Sequence, residues 1–421
     1  MAESFLLAWR ALLRGHVLTA LLVLTALAHF LLPAVVRSDG TDAGGQEVFL
    51  RVVPGSVYLI LCVALVASAC GLVAHARESH RLALAAVRPV SAGALVAGPL
   101  LALVAVAAIV LSFNMGLTCA RGGWADCRHV YEPVLEPPEK AAQQALEDLL
   151  SDMNAPEEIR KAPRYRLLAI LTGREIDRYA TIHPARALEL PFPHEAAAAP
   201  GGATARIRFT TQFNTRAAVS GVVTFGPWSA VVSNCTQAIL EIPLAAAASS
   251  GPPVAEAPKL IFRNTGDSML MVRPRRDVQV LTPADSFNMN MLRATGEMLC
   301  VITFLCAFGL FLSSALSRPV AMFTAFALLA VMEMAPSVVS QFPDALDVPV
   351  TDLMGLQLSR AVAFATSSVS APQPLSDLAT GTCVEWSALG HAALVDALAA
   401  PAVLLTLAAL LVRRRASAQR A

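Results

Sequence analysis

Six stretches of this chain are apolar around the whole circumference of a helix and long enough to cross a bilayer. No other feature restricts its fold as tightly. A helix rises about 1.5 Å per residue, so about 20 apolar residues cover the roughly 30 Å of a hydrocarbon core. Runs of that length lie near residues 17–36, 56–75, 93–114, 295–315, 320–339 and 392–412. Composition agrees: 56% of the 421 residues are hydrophobic and 15% are charged, against about 25% charged in ordinary soluble domains. A wholly soluble fold is excluded. A formal net charge of +1 with three lysines, Lys140, Lys161 and Lys259, leaves no basic stripe to neutralise phosphates, which excludes nucleic acid as a partner.

Basic residues in short loops mark the cytoplasmic side of a membrane protein. One face collects Arg10, Arg14, Arg77, Arg81, Arg88, Arg318, Arg413, Arg414, Arg415 and Arg420, whereas the short segments of the other hold Arg37, Arg51 and Arg360. This asymmetry places both termini in the cytoplasm and the polar stretch between spans three and four outside. A secretory leader competes at the N-terminus, since Ala26-Leu27-Ala28 resembles a cleavage site. The apolar run continues through Val36, however, and reads as a span. Phe5, Leu6, Trp9, Leu12 and Leu13 share a helical face before Gly15-His16 interrupts the run, the pattern of an amphipathic helix lying on membrane lipid.

The fold class that follows is a polytopic α-helical membrane protein of six transmembrane helices with an inserted α+β extracytoplasmic domain containing a β-sandwich. Residues 1–115 form the N-terminal membrane part, 116–290 the exported domain, and 291–421 the C-terminal membrane part with an outer segment at 340–391. Helical spacing of Leu146, Leu149, Leu150 and Met153 after Pro137-Pro138, and of Leu167, Leu168, Ile170 and Leu171, predicts two entry helices, with Pro163 breaking the second. From about 203 the period becomes two. Strands are predicted over 205–213, 219–225, 239–244, 260–263, 269–273 and 278–281, making a sandwich of about ninety residues.

No catalytic, cofactor-binding or metal motif is present. His129, His183 and His194 sit in no HExxH-like spacing, and no GxSxG occurs. Cys119, Cys127, Cys235 and Cys383 fall on the oxidising side; Cys119 and Cys127 could close a short loop or stay as thiols, and their spacing is too wide for a CxxC centre. Within the spans, polar groups are functional candidates by default. Asn114 and Glu297 fall at span ends, which leaves His29 and Glu333, each with a local structural hydrogen bond as the plainer reading.

The loop between spans two and three is short, helical and amphipathic. Arg77, Glu78, His80 and Arg81 lead into Leu82 and Leu84, and Arg88-Pro89-Val90-Ser91 then restarts the membrane helix. Such a helix suits docking into a groove of a partner. Glu78 followed by the leucine-rich stretch from Leu82 to Pro89-Val90-Ser91 resembles the segment between spans two and three of type-2 ABC transporter permeases, with His80-Arg81 where the usual Gly-Thr stands. Six spans, inward termini, the amphipathic N-terminal helix and the tight turn from Phe311 to Val320 resemble the same family, in its bacterial subset with a large outer domain. The resemblance implies a bacterial inner-membrane subunit that pairs as a homodimer or heterodimer and is driven by a separate ABC ATPase docking on 77–88. The chain itself has no G-x-x-x-x-G-K-[ST] phosphate loop, so ATP hydrolysis is expected in that partner. Two other classes compete: a membrane-anchored binding or scaffold protein, and a membrane enzyme assembled from distant residues. A neighbouring reading frame for a Walker-A ATPase separates the first from these.

Overall fold

The structure, a computed structural model, describes residues 2–36, 42–78, 92–151, 164–176, 180–197, 203–211, 219–226, 228–235, 239–246, 258–341 and 374–418. The chain divides into two compact units. One comprises Met1–Ala125, Ser286–Pro336 and Ser359–Ala421; the other comprises Asp126–Asp285 with Ser337–Leu358. The division falls at 126 and 285, after the helix that ends at Arg121 and before the one that starts at Phe287.

The first unit is helical. It contains α1 (Ala2–Arg14), α2 (Val17–Val35), α3 (Asp42–Glu78), α4 (Ala92–Arg121), α5 (Phe287–Ala315), α6 (Arg318–Gln341, within this unit as far as Pro336), α7 (Pro374–Thr380), α8 (Trp386–Ala392), a π-helical stretch Ala393–Ala399, and α9 (Ala400–Ala418). Five helices among the described residues are long and apolar enough to cross a membrane: Val17–Val35, Gly45–Ala74, Gly93–Arg121, Phe287–Ala315 and Trp386–Arg414. The expected run at 320–339 lies inside α6 and is helical, but it is not one of these five. At 37 residues, α3 is about 55 Å long and starts well before the expected span, with Glu47 and Arg51 lowering the hydropathy of its first turns.

Burial is unequal. Of the apolar stretch of α5, 72% is buried within the unit, against 11% for α2 and 17% for the last span, so α5 is the central helix. Leu61 and Leu65 of α3 and Leu103 and Leu111 of α4 are fully buried with it. Small residues allow the approach: a Cβ on Gly309 would lie 2.9 Å from the Ala69 Cβ, the backbone-to-backbone proximity that drives helix association in lipid. Phe30, Leu31, Leu394 and Leu398 remain exposed, an apolar surface suited to lipid.

The second unit is rich in β-structure. Its eight-stranded antiparallel sheet runs in the order β1 (Arg128–Tyr131), β11 (Val278–Pro283), β4 (Ala203–Arg208), β8 (Ile239–Ala246), β7 (Trp228–Cys235), β6 (Val219–Phe225), β9 (Lys259–Asn264) and β3 (Ala187–Pro191). A three-stranded sheet has the order β2 (Ala180–Ile182), β10 (Leu270–Val272) and β5 (Thr210–Thr211). Strict alternation explains the strands that the sequence announces. In β6, Val219, Gly221, Val223 and Phe225 are buried and the residues between them are not, as a period of two requires. Both sheets contribute to one core, in which Ile182, Leu270 and Val272 join Ile207, Phe225, Leu260 and Phe262. Helices occupy Pro138–Ser151 and Arg164–Ile176, the second starting directly after Pro163.

On the sheet surface Glu241 joins three strands. Arg206 Nη2 donates to its Oε1 at 2.7 Å and Arg128 Nη1 to its Oε2 at 3.1 Å. Partial burial pushes the Glu241 carboxyl upward, but hydrogen bonds and charge from Arg206 and Arg128 outweigh this and leave it below its ordinary value. A carboxyl depressed in the folded state adds stability at neutral pH that is lost as pH falls through its folded value. Glu241→Gln is therefore expected to lower stability at pH 7 by about 1 kcal/mol or less, since solvent screens exposed pairs. The difference should vanish in strong acid, which thermal unfolding at both pH values checks.

Candidate functional site

Three groups of residues in the helical unit carry polar chemistry. The first is the bundle end where α3 stops at Glu78 and α4 starts at Ala92. Arg77 and Glu78 are the last two residues of α3; His80, Arg81, Leu82, Leu84 and Arg88 lie outside the described residues. At this end α1 packs on the first turns of α4. Ser4 Oγ donates to the Ala94 carbonyl at 2.6 Å, and a Cβ on Gly98 would meet Ser4 and lie 2.7 Å from the Phe5 amide nitrogen. Ala8 and Leu12 are buried, whereas Leu6, Leu7 and Leu13 are exposed. His16 turns left-handed with φ 54° and separates α1 from α2, at the interruption that the sequence marks. Arg318, at the start of α6, lies beside Gly71 of α3.

The second group surrounds His29. Its Nδ1 lies 2.9 Å from the Thr25 carbonyl, and its Nε2 lies 3.2 Å from Thr118 Oγ1. A carbonyl only accepts, so Nδ1 carries the proton in that contact and Nε2 faces the hydroxyl. Rings continue outward from there. His29 meets Phe49 edge-on at 6.1 Å, Phe49 meets Trp124 at 5.4 Å, and Trp124 stacks on Phe287 at 5.2 Å. Arg121 sits 4.2 Å above the Phe49 ring. Trp124 Nε1 donates to the Thr118 carbonyl at 2.8 Å. His29 thus fastens α2 to α4, and the ring series fastens α3 to α5. Glu333 lies on α6, its side chain outside the description. Cys119 and Cys127 are both thiols, and Cys127 Sγ donates to the Asp285 carbonyl at 3.1 Å.

Of the third group the sequence reading singled out only Glu297. Asn290, Arg293 and Glu297 of α5 are 1%, 3% and 6% exposed, and their spacing of three and four puts them on one face of the helix. Asn290 holds the residues before the last span: its Nδ2 donates to the Thr382 carbonyl at 2.8 Å, and the Val384 amide donates to its Oδ1 at 2.7 Å. Arg293 Nη1 donates to the Val384 carbonyl and approaches Cys383 Sγ, each at 2.9 Å, and its guanidinium lies 4.7 Å from the Trp386 ring centre. Farther along, a Cβ on Gly296 would lie 3.1 Å from Leu389. Both partners advance in the same sense, so α5 and the last span run parallel. Asp396 lies in the π-helical stretch and is 1% exposed; wide π-turns recur at functional sites.

The reading placed Glu297 at a span end because it started the span at 295, whereas α5 begins at Phe287. Asp396 sat unremarked inside the run 392–412. The stripe 290, 293, 297 in an otherwise apolar helix was the signal that locates the group. Among the described residues no cluster of three His, Cys, Asp or Glu side chains is arranged to hold a metal ion. Compared with known proteins, the chain matches no family model, and no curated protein or solved structure is detectably similar to it.

Proposed function

We propose that the chain is the membrane-spanning permease subunit of a bacterial ABC-type exporter, driven by a separate ATPase that docks on residues 77–88. In this reading α6 supplies the sixth span, both termini are cytoplasmic in the inner membrane, and the chain pairs with a second permease copy. The β-rich unit, as a two-layer sandwich, faces outward for contact with cargo or an envelope partner. The observation that carries the reading is the segment from Glu78 through Leu82 to Pro89-Val90-Ser91. In sequence it connects Glu78, where α3 ends, to Ala92, where α4 starts, and the amphipathic α1 packs on Ala94 and Gly98. ATP-driven closure of the partner would push this segment, and the rigid helices α3 and α4 would convey the push along the bundle. An anchored binding protein without transport is the second reading, supported by the separate core of the β-rich unit.

Leu82→Asp combined with Leu84→Asp is expected to reduce ATPase co-purification about tenfold or more, because each change puts a charge into the desolvated centre of the contact. Glu78→Ala and Arg81→Ala should act more mildly, on the rim. Association and ATP turnover are measured on variants that insert normally. A well-inserted double variant that retains its ATPase at wild-type yield overturns the docking role.

A further inference from the structure

We propose that His29 is a proton-binding group that fastens α2 to α4 when charged and loosens that contact when neutral. The inference does not rest on the permease reading. It follows from a count of protons. Three contacts cross the interface in series: the Thr25 carbonyl to His29 Nδ1 at 2.9 Å, His29 Nε2 to Thr118 Oγ1 at 3.2 Å, and Thr118 Oγ1 to the Asn114 carbonyl at 2.9 Å. Both ends of the series are carbonyls, which only accept. Three hydrogen bonds between two such ends need three protons. A neutral imidazole holds one and the hydroxyl holds one, so the series is complete only when the ring takes another and becomes imidazolium. With a neutral ring the Thr118 hydroxyl serves either Nε2 or the Asn114 carbonyl, and one link is lost.

No neighbour supplies the missing proton. The Thr25 hydroxyl donates back to the Leu21 carbonyl at 2.8 Å, and Trp124 Nε1 donates to the Thr118 carbonyl, not to its hydroxyl. Thr118 is 0% exposed, so open solvent does not reach it. Nor does a counter-ion hold the ring. Of the helices packed against α2, α1 carries Glu3, Arg10 and Arg14 and lies on the first turns of α4, whereas Thr118 is in the last turn. Helix α3 carries Asp42, Glu47 and Arg51 in its first turns and His75, Arg77 and Glu78 in its last. The charge nearest the ring is Arg121 of α4, above the Phe49 ring that His29 meets edge-on. Among the described residues no carboxylate pairs with His29. An added charge is therefore held by the hydrogen-bond series. Only Leu21 and Thr25 of α2 are buried, so one charge-assisted link is a sizeable part of this helix's attachment.

The test uses the full-length protein in lipid nanodiscs. Nitrogen NMR of histidine-labelled protein, with the His29 signals assigned by their loss in His29→Gln, follows both ring nitrogens across a pH titration. Hydrogen exchange, corrected for the pH dependence of its chemical step, follows the α2 amides over the same range. Nε2 is expected to gain a proton as pH falls, with exchange in α2 slowing about tenfold or more, the effect of one hydrogen bond to a charged group. Thr118→Val, which keeps the branched shape and removes the hydroxyl, should abolish this pH effect, and Thr118→Ser should restore it. If Thr118→Val does not fold, His29→Gln serves in its place and should show exchange that no longer changes with pH. A ring that keeps a single proton at every pH where the protein is folded overturns the proposal. So does wild-type exchange that is the same in both ring states, or a pH effect that persists in Thr118→Val or His29→Gln.

Discussion

Replacing Asn290 by leucine is expected to free residues 382–386 from α5 and to cost about 2–5 kcal/mol of stability. Leucine keeps the forked shape of asparagine, though it is bulkier, and loses both hydrogen-bonding arms of the carboxamide. The Val384 amide and the Thr382 carbonyl, which now meet Asn290 at 2.7 and 2.8 Å, lose their partners in a site where Val384 is 3% exposed. Each buried orphan costs about 1–3 kcal/mol. Asn290→Asp keeps an acceptor for the Val384 amide and should be the milder change in hydrogen exchange at that position. Thermal unfolding in detergent gives the magnitude, and rapid exchange of the Val384 amide in Asn290→Leu locates the loss. Wild-type exchange at Val384 would show that Asn290 does not hold the strap.

The contrast between this strap and the spans explains what could be read from residue order. A membrane helix advertises itself, because every face must be apolar and one window of about 20 residues holds the whole signal. Strand β6 was as plain, since Val219, Val223 and Phe225 alternate with half-exposed neighbours, whereas the run 205–213, expected as one strand, is divided in its described part between β4 and β5, which belong to different sheets. By contrast β1 is four residues long and exists by pairing with β11, Arg128 opposite Pro283. No local pattern carries such a partnership. In β7, Ala230, Val231 and Val232 blur the alternation, so Trp228–Cys235 went unread. Asn290 and Thr382 are 92 positions apart; the helical stripe 290, 293, 297 was legible, but its partner was not. His29 was legible as a polar intruder, whereas Thr118, the group its Nε2 faces, became visible only when α2 and α4 were laid together.

Gly98→Val is expected to peel α1 away from α4. The first added carbon would meet Ser4 and come within 2.7 Å of the Phe5 amide nitrogen, and backbone cannot rotate aside as a side-chain tip can. Overpacking of this kind costs about 1–3 kcal/mol, which falls on one short amphipathic helix instead of on the whole bundle. The Ser4 hydrogen bond to Ala94 should break with it. A cysteine placed at Ala8, buried in the wild type, should become open to a water-soluble maleimide in Gly98→Val and stay protected otherwise. Gly116→Ala is the control, because nothing lies within 4 Å of the carbon it adds. Equal labelling of the two backgrounds would mean that α1 tolerates the intrusion.

The β-rich unit begins and ends at a doubled point. The Cys127 amide donates to the Asp285 carbonyl, and the Ala284 amide donates to the Cys127 carbonyl, each at 3.0 Å, prolonging the β1–β11 ladder to the two ends of the insert. A loop whose entrance and exit are clasped in this way is closed on itself. Its contents can lengthen, shrink or be exchanged for another module while the spacing of its two ends stays fixed. That clasp makes the β-rich unit a self-contained cartridge.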